Sequence, residues 1–422
     1  MNLHRQAIAL LLLFAAACTV TADSIESLSG SVIEGKVISR DEKFVVMEVQ
    51  IGGKPVQRKY GLSLIRAITI DGQREVLKEG GKPLTPGPST GTNPSTGVAN
   101  RTRSEIEAII NSTGKQPPDW LADIALNLPK SLDLSWPENP EGAWNNQKNV
   151  GQFVWDVINP NDKRWREGIK LMEHLMEMHK NDPETRQRAM ASMAGMYHHF
   201  FQDYARAAYW WRQAPERQDL VGLAECYFKL GNKAMAVDIL DRMRQVPISA
   251  IKLWSDMGEP DKALKLVELF SAGKGADDAF IQGGDACRAA GRYKQAIQYY
   301  EKVTAMKDDN NVKRNKDRAK ASLEGIKYFD TFDLKKVADG TYKASSLGYE
   351  GPVEITAIVA AGKIESLKVT SHREKQYYAS ISDTPAQIIA KQSVKGIDAT
   401  SRATITSDAI INATAKALGG GQ

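Results

Sequence analysis

Four times between residues 202 and 296 a turn residue is followed, five places on, by alanine: Gln202-Asp203-Tyr204 before Ala207, Gly231-Asn232-Lys233 before Ala236, Gly258-Glu259-Pro260 before Ala263, and Gly291-Arg292-Tyr293 before Ala296. The spacings are 29, 27 and 33 residues. Such a recurrence constrains the fold more than composition does, because each unit is too small to bury its own apolar face and must stack on its neighbours. Glycine ends one helix, and the small alanine lets the next helix approach. On the helix before each of three turns an apolar or aromatic residue recurs, as Tyr197, Tyr227 and Leu253. Residues 161–330 are therefore expected to be all-α, led in by a helix over 163–180.

This pattern resembles degenerate tetratricopeptide repeats, whose usual period is about thirty-four residues. The resemblance implies a right-handed solenoid that binds a partner protein, the alternative being a spacer that holds the two ends of the chain apart. Cys226 and Cys287 fall inside helical segments, where small buried residues at helix contacts are expected. His174, His179, His198 and His199 gather in the first helical pair, but His174 and His179 are five apart, which does not place two ligands on one helix face. They are read as packing or surface residues. The run 307–320, rich in Lys, Asp and Asn, is read as a solvated turn and helix face.

N-terminal to the helices the pattern changes. Strands are expected over 31–39, 44–51, 56–60, 64–70 and 74–77 around Gly52-Gly53 and Asp71-Gly72, which makes residues 23–82 a small all-β module, a meander or a small barrel. Residues 83–103 form a Pro, Gly, Ser and Thr-rich linker. Residues 104–160 are broken by Pro117-Pro118, Pro129, Pro137 and Pro140 and read as an irregular lead-in whose Trp120, Trp136 and Trp144 pack on the next domain.

The first 22 residues have a basic start at Arg5, an apolar run over 7–17 and a small-residue end at Val20-Thr21-Ala22, the pattern of a cleaved secretory signal. Cys18 after three alanines offers a second reading, acylation and a lipid anchor. The mature chain is expected to be exported, periplasmic or in the cell envelope, with peripheral membrane association. A net charge of +5 spread over 422 residues, without a basic block, argues against nucleic acid as a partner. With three cysteines and no Cys-x-x-Cys-His there is no disulfide framework, no attached haem and too few ligands for an iron–sulfur cluster.

The last stretch carries the chemistry. Strands are expected over 341–344, 353–360 and 363–370, the last two around Ala361-Gly362, with a short helix over 384–393 that starts at Pro385. A second helix is expected from Ser407 as N-cap, with Asp408 in its first turn. Before it lies Asp398-Ala399-Thr400-Ser401-Arg402-Ala403-Thr404-Ile405-Thr406-Ser407, a turn rich in hydroxyls at a helix start, which suits a phosphate.

Five separated motifs then occur in order: Asp339-Gly340-Thr341-Tyr342, Gly348-Tyr349-Glu350-Gly351-Pro352-Val353, Gly362-Lys363-Ile364, His372-Arg373-Glu374 and the run 398–407. Together they resemble the FMN-binding domain found in flavin-carrying subunits of sodium-pumping and related quinone reductases and in secreted flavoproteins. The resemblance covers residues 337–422, a small α+β domain. It implies that a flavin transferase, with FAD as donor, esterifies FMN to the threonine closing an Asp-x-x-Ser/Thr-Gly-Ala-Thr motif. The matching residues are Asp398, Ser401, Ala403 and Thr404, so Thr404 is the implied attachment site and Asp398 an implied metal or proton-accepting contact during transfer. Thr406 and Ser407 continue the phosphate-facing turn, and Gly348, Tyr349, Gly351, His372 and Glu374 are implied to approach the flavin. Tyr349, Tyr377 and Tyr378 are of a type to stack on the ring. Arg402 stands where the family has glycine; arginine is strained if the turn needs a positive φ, yet it can pair with a phosphate.

A multidomain protein follows: an all-β module, a helical solenoid and a C-terminal FMN-binding domain. The leading functional expectation is an exported electron-transfer flavoprotein, a carrier more than a stand-alone enzyme, docked through its repeats to a redox partner or membrane electron-transfer complex. The alternatives are an envelope scaffold without flavin and a flavin-dependent reductase of a small acceptor.

Overall fold

The structure is a computed structural model and describes residues 23–27, 32–41, 43–51, 54–62, 65–71, 73–77, 100–140, 142–329 and 332–419. The expected secretory signal, Cys18 and most of the linker lie outside the described residues. The chain divides into two compact units, one holding the N-terminal strands and the other everything from residue 100 onward.

In the first unit six strands, β1 (Asp23–Ser27), β2 (Val32–Arg40), β3 (Phe44–Ile51), β4 (Lys54–Gly61), β5 (Ile65–Ile70) and β6 (Gln73–Val76), form one antiparallel sheet in the order β4-β3-β2-β1-β5-β6. Val45, Met47 and Val49 alternate along β3 onto one face and pack with Ile25, Ile65 and Ile68. The short β1 was not anticipated, because a single apolar Ile25 among Asp, Ser and Glu gives no alternation to read. It takes the centre of the sheet and draws β5 away from β4, so the strands do not follow one another as a simple meander. Gly35 is required where β2 and β3 approach, since a Cβ there would lie 2.4 Å from the Glu48 carbonyl oxygen.

The second unit begins with a helix, α1 (Arg103–Ile109), opened by a capping box in which Thr102 and Glu105 satisfy each other's backbone N–H. The last residues assigned to the linker are held: Arg101 N–H donates to Gly231 O at 2.9 Å and its guanidinium to Leu230 O at 2.6 Å. After the short α2 (Val150–Phe153) come α3 (Trp165–Met178), α4 (Pro183–His199), α5 (Tyr204–Gln213), α6 (Leu220–Lys229), α7 (Lys233–Arg242), α8 (Ala250–Asp256), α9 (Pro260–Phe270), α10 (Ala276–Ala289), α11 (Tyr293–Thr304) and α12 (Asn310–Ile326). Trp120 and Trp136 pack on these helices, beside Phe201 and Arg188, whereas Trp144 stays exposed and gives its indole N–H to Asp156 at 2.7 Å.

The recurring turns join α4 to α5, α6 to α7, α8 to α9 and α10 to α11, and the four alanines at 207, 236, 263 and 296 are all fully buried. All four turns use the same left-handed residue, with φ of 105° at Gly231, 74° at Gly258, 71° at Gly291 and 51° at Gln202. Only the first turn does so with a side chain, a conformation that costs roughly 1 kcal/mol for an L-residue. Gln202→Gly is therefore expected to stabilise the unit by about 0.5–1 kcal/mol in urea unfolding, the gain being limited by the greater freedom of glycine in the unfolded chain. A loss of stability would mean that the Gln202 side chain contributes more than its backbone costs.

The C-terminal segment has an antiparallel sheet in the order β7-β8-β9, formed by β7 (Gly340–Leu347), β8 (Pro352–Ala360) and β9 (Lys363–Ser371), with Val353, Ile355, Ala357 and Val359 alternating inward along β8. Two helices cover it, α13 (Ser380–Lys391) and α14 (Thr404–Gly419), and α14 also packs against α12 of the helical region. Two boundaries differ from expectation. Helix α13 starts four residues earlier than read and carries Pro385 inside it. Helix α14 starts at Thr404, so Ser407 is not its N-cap and Asp408 is not on an exposed first turn. Both are buried, and the reason is long-range: Ser407 Oγ accepts from Thr384 Oγ1 at 3.1 Å and from Thr400 N–H at 3.0 Å, while Asp408 is paired with arginines of α10 and α12. No helix among the described residues is long and apolar enough to cross a membrane.

Candidate functional site

The turn from Asp398 to Ala403 is fixed from three sides. On its own domain, Gln387 of α13 brackets the backbone of Asp398, accepting from its N–H and donating to its carbonyl, each at 2.9 Å. Ala403 N–H donates to Thr400 O at 3.0 Å, and Ala403 is buried against the helical region. Between them Arg402 takes φ 62°, the left-handed conformation that the family's glycine would reach without strain. Thr404 follows as the first residue of α14, half-buried, and its hydroxyl makes no hydrogen bond among the described residues. The first-turn N–H groups of α14 have no carbonyl one turn earlier in the helix to receive them, an arrangement that favours an anion.

From the other side the helical region grips this turn with charge. Asp398 is the anion between two cations, Lys229 and Lys252, the latter at 3.0 Å. Ser401 Oγ donates to Glu225 Oε1 at 2.7 Å, and the Arg402 guanidinium meets Asp219 at 2.8 Å. Burial pushes the Asp398 carboxyl upward, but the Lys229 and Lys252 ammonium groups overcome this and hold it well below the usual range. Asp256, which shares Lys252, is pushed up to about 7 by burial and then by the neighbouring Asp398 charge. The metal or proton-accepting role implied for Asp398 thus has a competitor: both its oxygens are already engaged by lysines.

A second buried set lies deeper. Asp408 joins Arg288 and Arg318, the latter at 2.8 Å; Arg318 also reaches Asp285 at 2.6 Å, and Tyr300 donates to Asp285 at 2.7 Å. Arg318, Asn315 and Ala319 are buried, which corrects the reading of 307–320 as a wholly solvated face. Nothing in the local pattern distinguished Arg318 from the exposed lysines around it.

The third part of the site is a clamp. Glu374, 4% exposed, accepts from the N–H of Tyr349 at 3.0 Å, from the N–H of Glu350 at 2.8 Å and from Thr406 Oγ1 at 2.5 Å. It binds the loop after β7 to the first turn of α14. Gly348 is obligatory beneath it, because a Cβ would lie 2.7 Å from Glu374 Oε1, and Gly351, at φ 154°, leaves room for the Arg373 guanidinium. Tyr349 lies against Arg314, 3.9 Å from ring centroid to guanidinium. His372 meets the edge of Tyr377, which packs on Trp165, and Tyr378 stacks on Phe200 at 5.5 Å. These tyrosines join the domain to the helices α3 and α4.

A cavity of ≈ 470 Å³ opens between the turn and the helices, and Ser401, Arg402 and Thr404 line it. The structure thus brings three of the twelve expected residues onto one cavity; Asp398, Ala403, Thr406 and Ser407 hold the turn in place, and Gly348, Tyr349, Gly351, His372 and Glu374 build the loop and clamp behind it. A hydroxyl without a hydrogen bond among the described residues, on a cavity wall at a helix start, suits a phosphate group. Residues 348–419 match the family model of the FMN-binding domain. A domain of this family points to a flavoprotein. An uncharacterized protein of Treponema pallidum (strain Nichols) is 36% identical to this chain over 85 residues, covering 20% of this chain and 23% of that protein. The chain therefore aligns with less than a quarter of that relative's length. No solved structure matches the chain.

The residues here suit a cofactor of that kind: the Thr404 hydroxyl stands at a helix start, beside a cavity of the size that small cofactors occupy. Among the described residues no group of three or more His, Cys, Asp or Glu side chains is placed to hold a metal ion. Cys226 and Cys287 are both buried as free thiols.

Proposed function

We propose that the chain is an exported flavoprotein that carries FMN covalently on Thr404 and relays electrons between partner proteins of the cell envelope. The observation that carries this reading is the placement of Thr404: first residue of α14, hydroxyl without a hydrogen bond among the described residues, on the wall of the cavity. In the attachment step Thr404 Oγ forms a bond to the FMN-side phosphorus of FAD, the pyrophosphate bridge breaks, and AMP leaves with the bridging oxygen. The hydroxyl proton passes to a base of the flavin transferase, and no electrons are exchanged. The bound flavin then supplies the redox chemistry.

The chain's residues have separate tasks. The first-turn N–H groups of α14 receive the phosphodiester charge. Ser401 is held by Glu225, so the turn keeps its shape, and Arg402, its side chain 60% exposed, offers a cation two residues from the attachment oxygen. The φ of 62° at Arg402 supports attachment, since the turn reaches the left-handed conformation without glycine. Export follows from the leader pattern of residues 1–22, with a lipid anchor on Cys18 as its variant, and the helical surfaces not covered by the chain's own C-terminal domain are where a redox partner or a membrane electron-transfer complex docks.

The test is the intact mass of the mature protein after co-expression with a flavin transferase in an exporting host, beside Thr404→Ala. Wild type is expected to gain the mass of FMN less water and the variant nothing. No gain in wild type, with a transferase that labels a control acceptor in the same cells, overturns the reading and leaves the scaffold in its place. A gain that persists in Thr404→Ala moves the attachment elsewhere.

A further inference from the structure

The cavity beside Thr404 has two walls of different origin. One is the turn and first residues of α14; the other is contributed by the helical region, from α4 through α12. On the residues of that second wall four buried nitrogens have no hydrogen-bond partner among the described residues: Nδ1 and Nε2 of His198, Nδ1 of His199 and Nε of Arg318. The three residues are 3%, 8% and 7% exposed. Buried polar groups are nearly always paired, and leaving one unmade costs about 1–3 kcal/mol, so four on residues that line one cavity call for a ligand.

We infer that the helical region supplies the pocket for the flavin ring, with His198, His199 and Arg318 as polar partners of the isoalloxazine; this rests on attachment at Thr404. The chemistry matches. The pyrimidine edge of an isoalloxazine alternates carbonyl acceptors with a ring N–H donor. Two imidazoles and a guanidinium N–H offer both kinds of partner. The His198 and His199 rings stack at 4.3 Å, 24° between planes, which presents their nitrogens side by side. Burial, then the neighbouring His198 and Arg402, keeps His199 well below the ordinary histidine range, so its ring is neutral and both donates and accepts. His198 Nε2 lies 3.3 Å from Glu225, which sets a carboxylate beside the ring. Phe329 adds an apolar surface to the same wall.

The inference gives the helical region a role in cis. The same helices that grip the turn through Asp398, Ser401 and Arg402 would enclose the redox group attached beside it. Only ordered water in the cavity competes with this as an account of the four nitrogens.

The experiment uses the full chain after its flavin load has been established by intact mass, so failure to load, which sinks attachment itself, is seen separately. Iodide quenching of flavin fluorescence is compared with free FMN, and visible circular dichroism is recorded. A ring held in the pocket should be quenched to about a tenth of the free value, since such sites bury 70–90% or more of a ligand's surface, and should show induced dichroism. Loaded His199→Leu, checked for an unchanged far-ultraviolet spectrum, is expected to lose much of that dichroism and shift the visible band. Quenching equal to free FMN on protein loaded at Thr404, with no induced dichroism, overturns the inference and assigns the cavity to water. A His199→Leu spectrum identical to wild type removes the imidazoles from the pocket.

Discussion

Asp408→Asn is expected to cost about 3–5 kcal/mol of unfolding free energy, the cost of leaving a buried charge without its partner. Asp408 is 2% exposed and serves both Arg288 and Arg318. With asparagine there, two buried guanidinium groups would share only Asp285. Burial alone would raise the Asp408 carboxyl, but Arg288 and then Arg318 hold it below the ordinary range, so wild type keeps its charge at neutral pH. The measurement is urea unfolding of the full chain, with Asp408→Asn combined with Arg288→Met as a partner variant. Removing the cation as well should restore part of the loss, because an apolar side chain replaces an unbalanced charge. A loss below about 1 kcal/mol in the single variant would mean that the arginines find other counterions.

Glu374→Ala should be the next most damaging change, at about 3 kcal/mol or more, because it removes three hydrogen bonds to one buried carboxyl group and orphans two backbone N–H groups. The comparison is Thr406→Val, which deletes a single bond to the same carboxylate and should cost about 1–2 kcal/mol. The resemblance implied that Glu374 approaches the flavin, whereas its oxygens are spent on Tyr349, Glu350 and Thr406. Differential unfolding of the two variants separates these roles. If Glu374→Ala loses no more stability than Thr406→Val yet changes the flavin spectrum, the carboxylate acts on the cofactor and not on the loop.

What could be read from the residues was whatever repeats or alternates locally. The strands β7, β8 and β9 stand where period-two alternation and Ala361-Gly362 put them, and both turn residues have positive φ, 49° and 70°. The turn-to-alanine spacing found the helix pairs, even through Gln202, because buried alanine is a packing requirement independent of the turn residue. The start of α14 was misplaced for the opposite reason. Ser407-Asp408 has the composition of a cap, but Thr400 of the preceding turn, Thr384 of α13 and, far away in the chain, Arg288 and Arg318 satisfy it. Local propensity cannot register such partners. Arg318 escaped for the same reason, as one cation in a run of similar cations, singled out only by what it meets in space.

Helix α14 places Thr406, Ser407, Asp408, Asn412 and Thr414 in the interior, with partners on the clamp, α13, α10 and α12 or on its own backbone. A helix buried with so many directional contacts tolerates no change of phase. Inserting one residue within α14 after Ser407 would turn Asp408, Asn412 and Thr414 by about 100° relative to Thr406 and Ser407 and break these contacts together. The FMN-binding domain of this chain is consequently not portable. Cut out or grafted elsewhere, it would carry Asp408 without counterions and Asp398 without its lysines. The C-terminal domain and its helical support are thus expected to fold and unfold as one object.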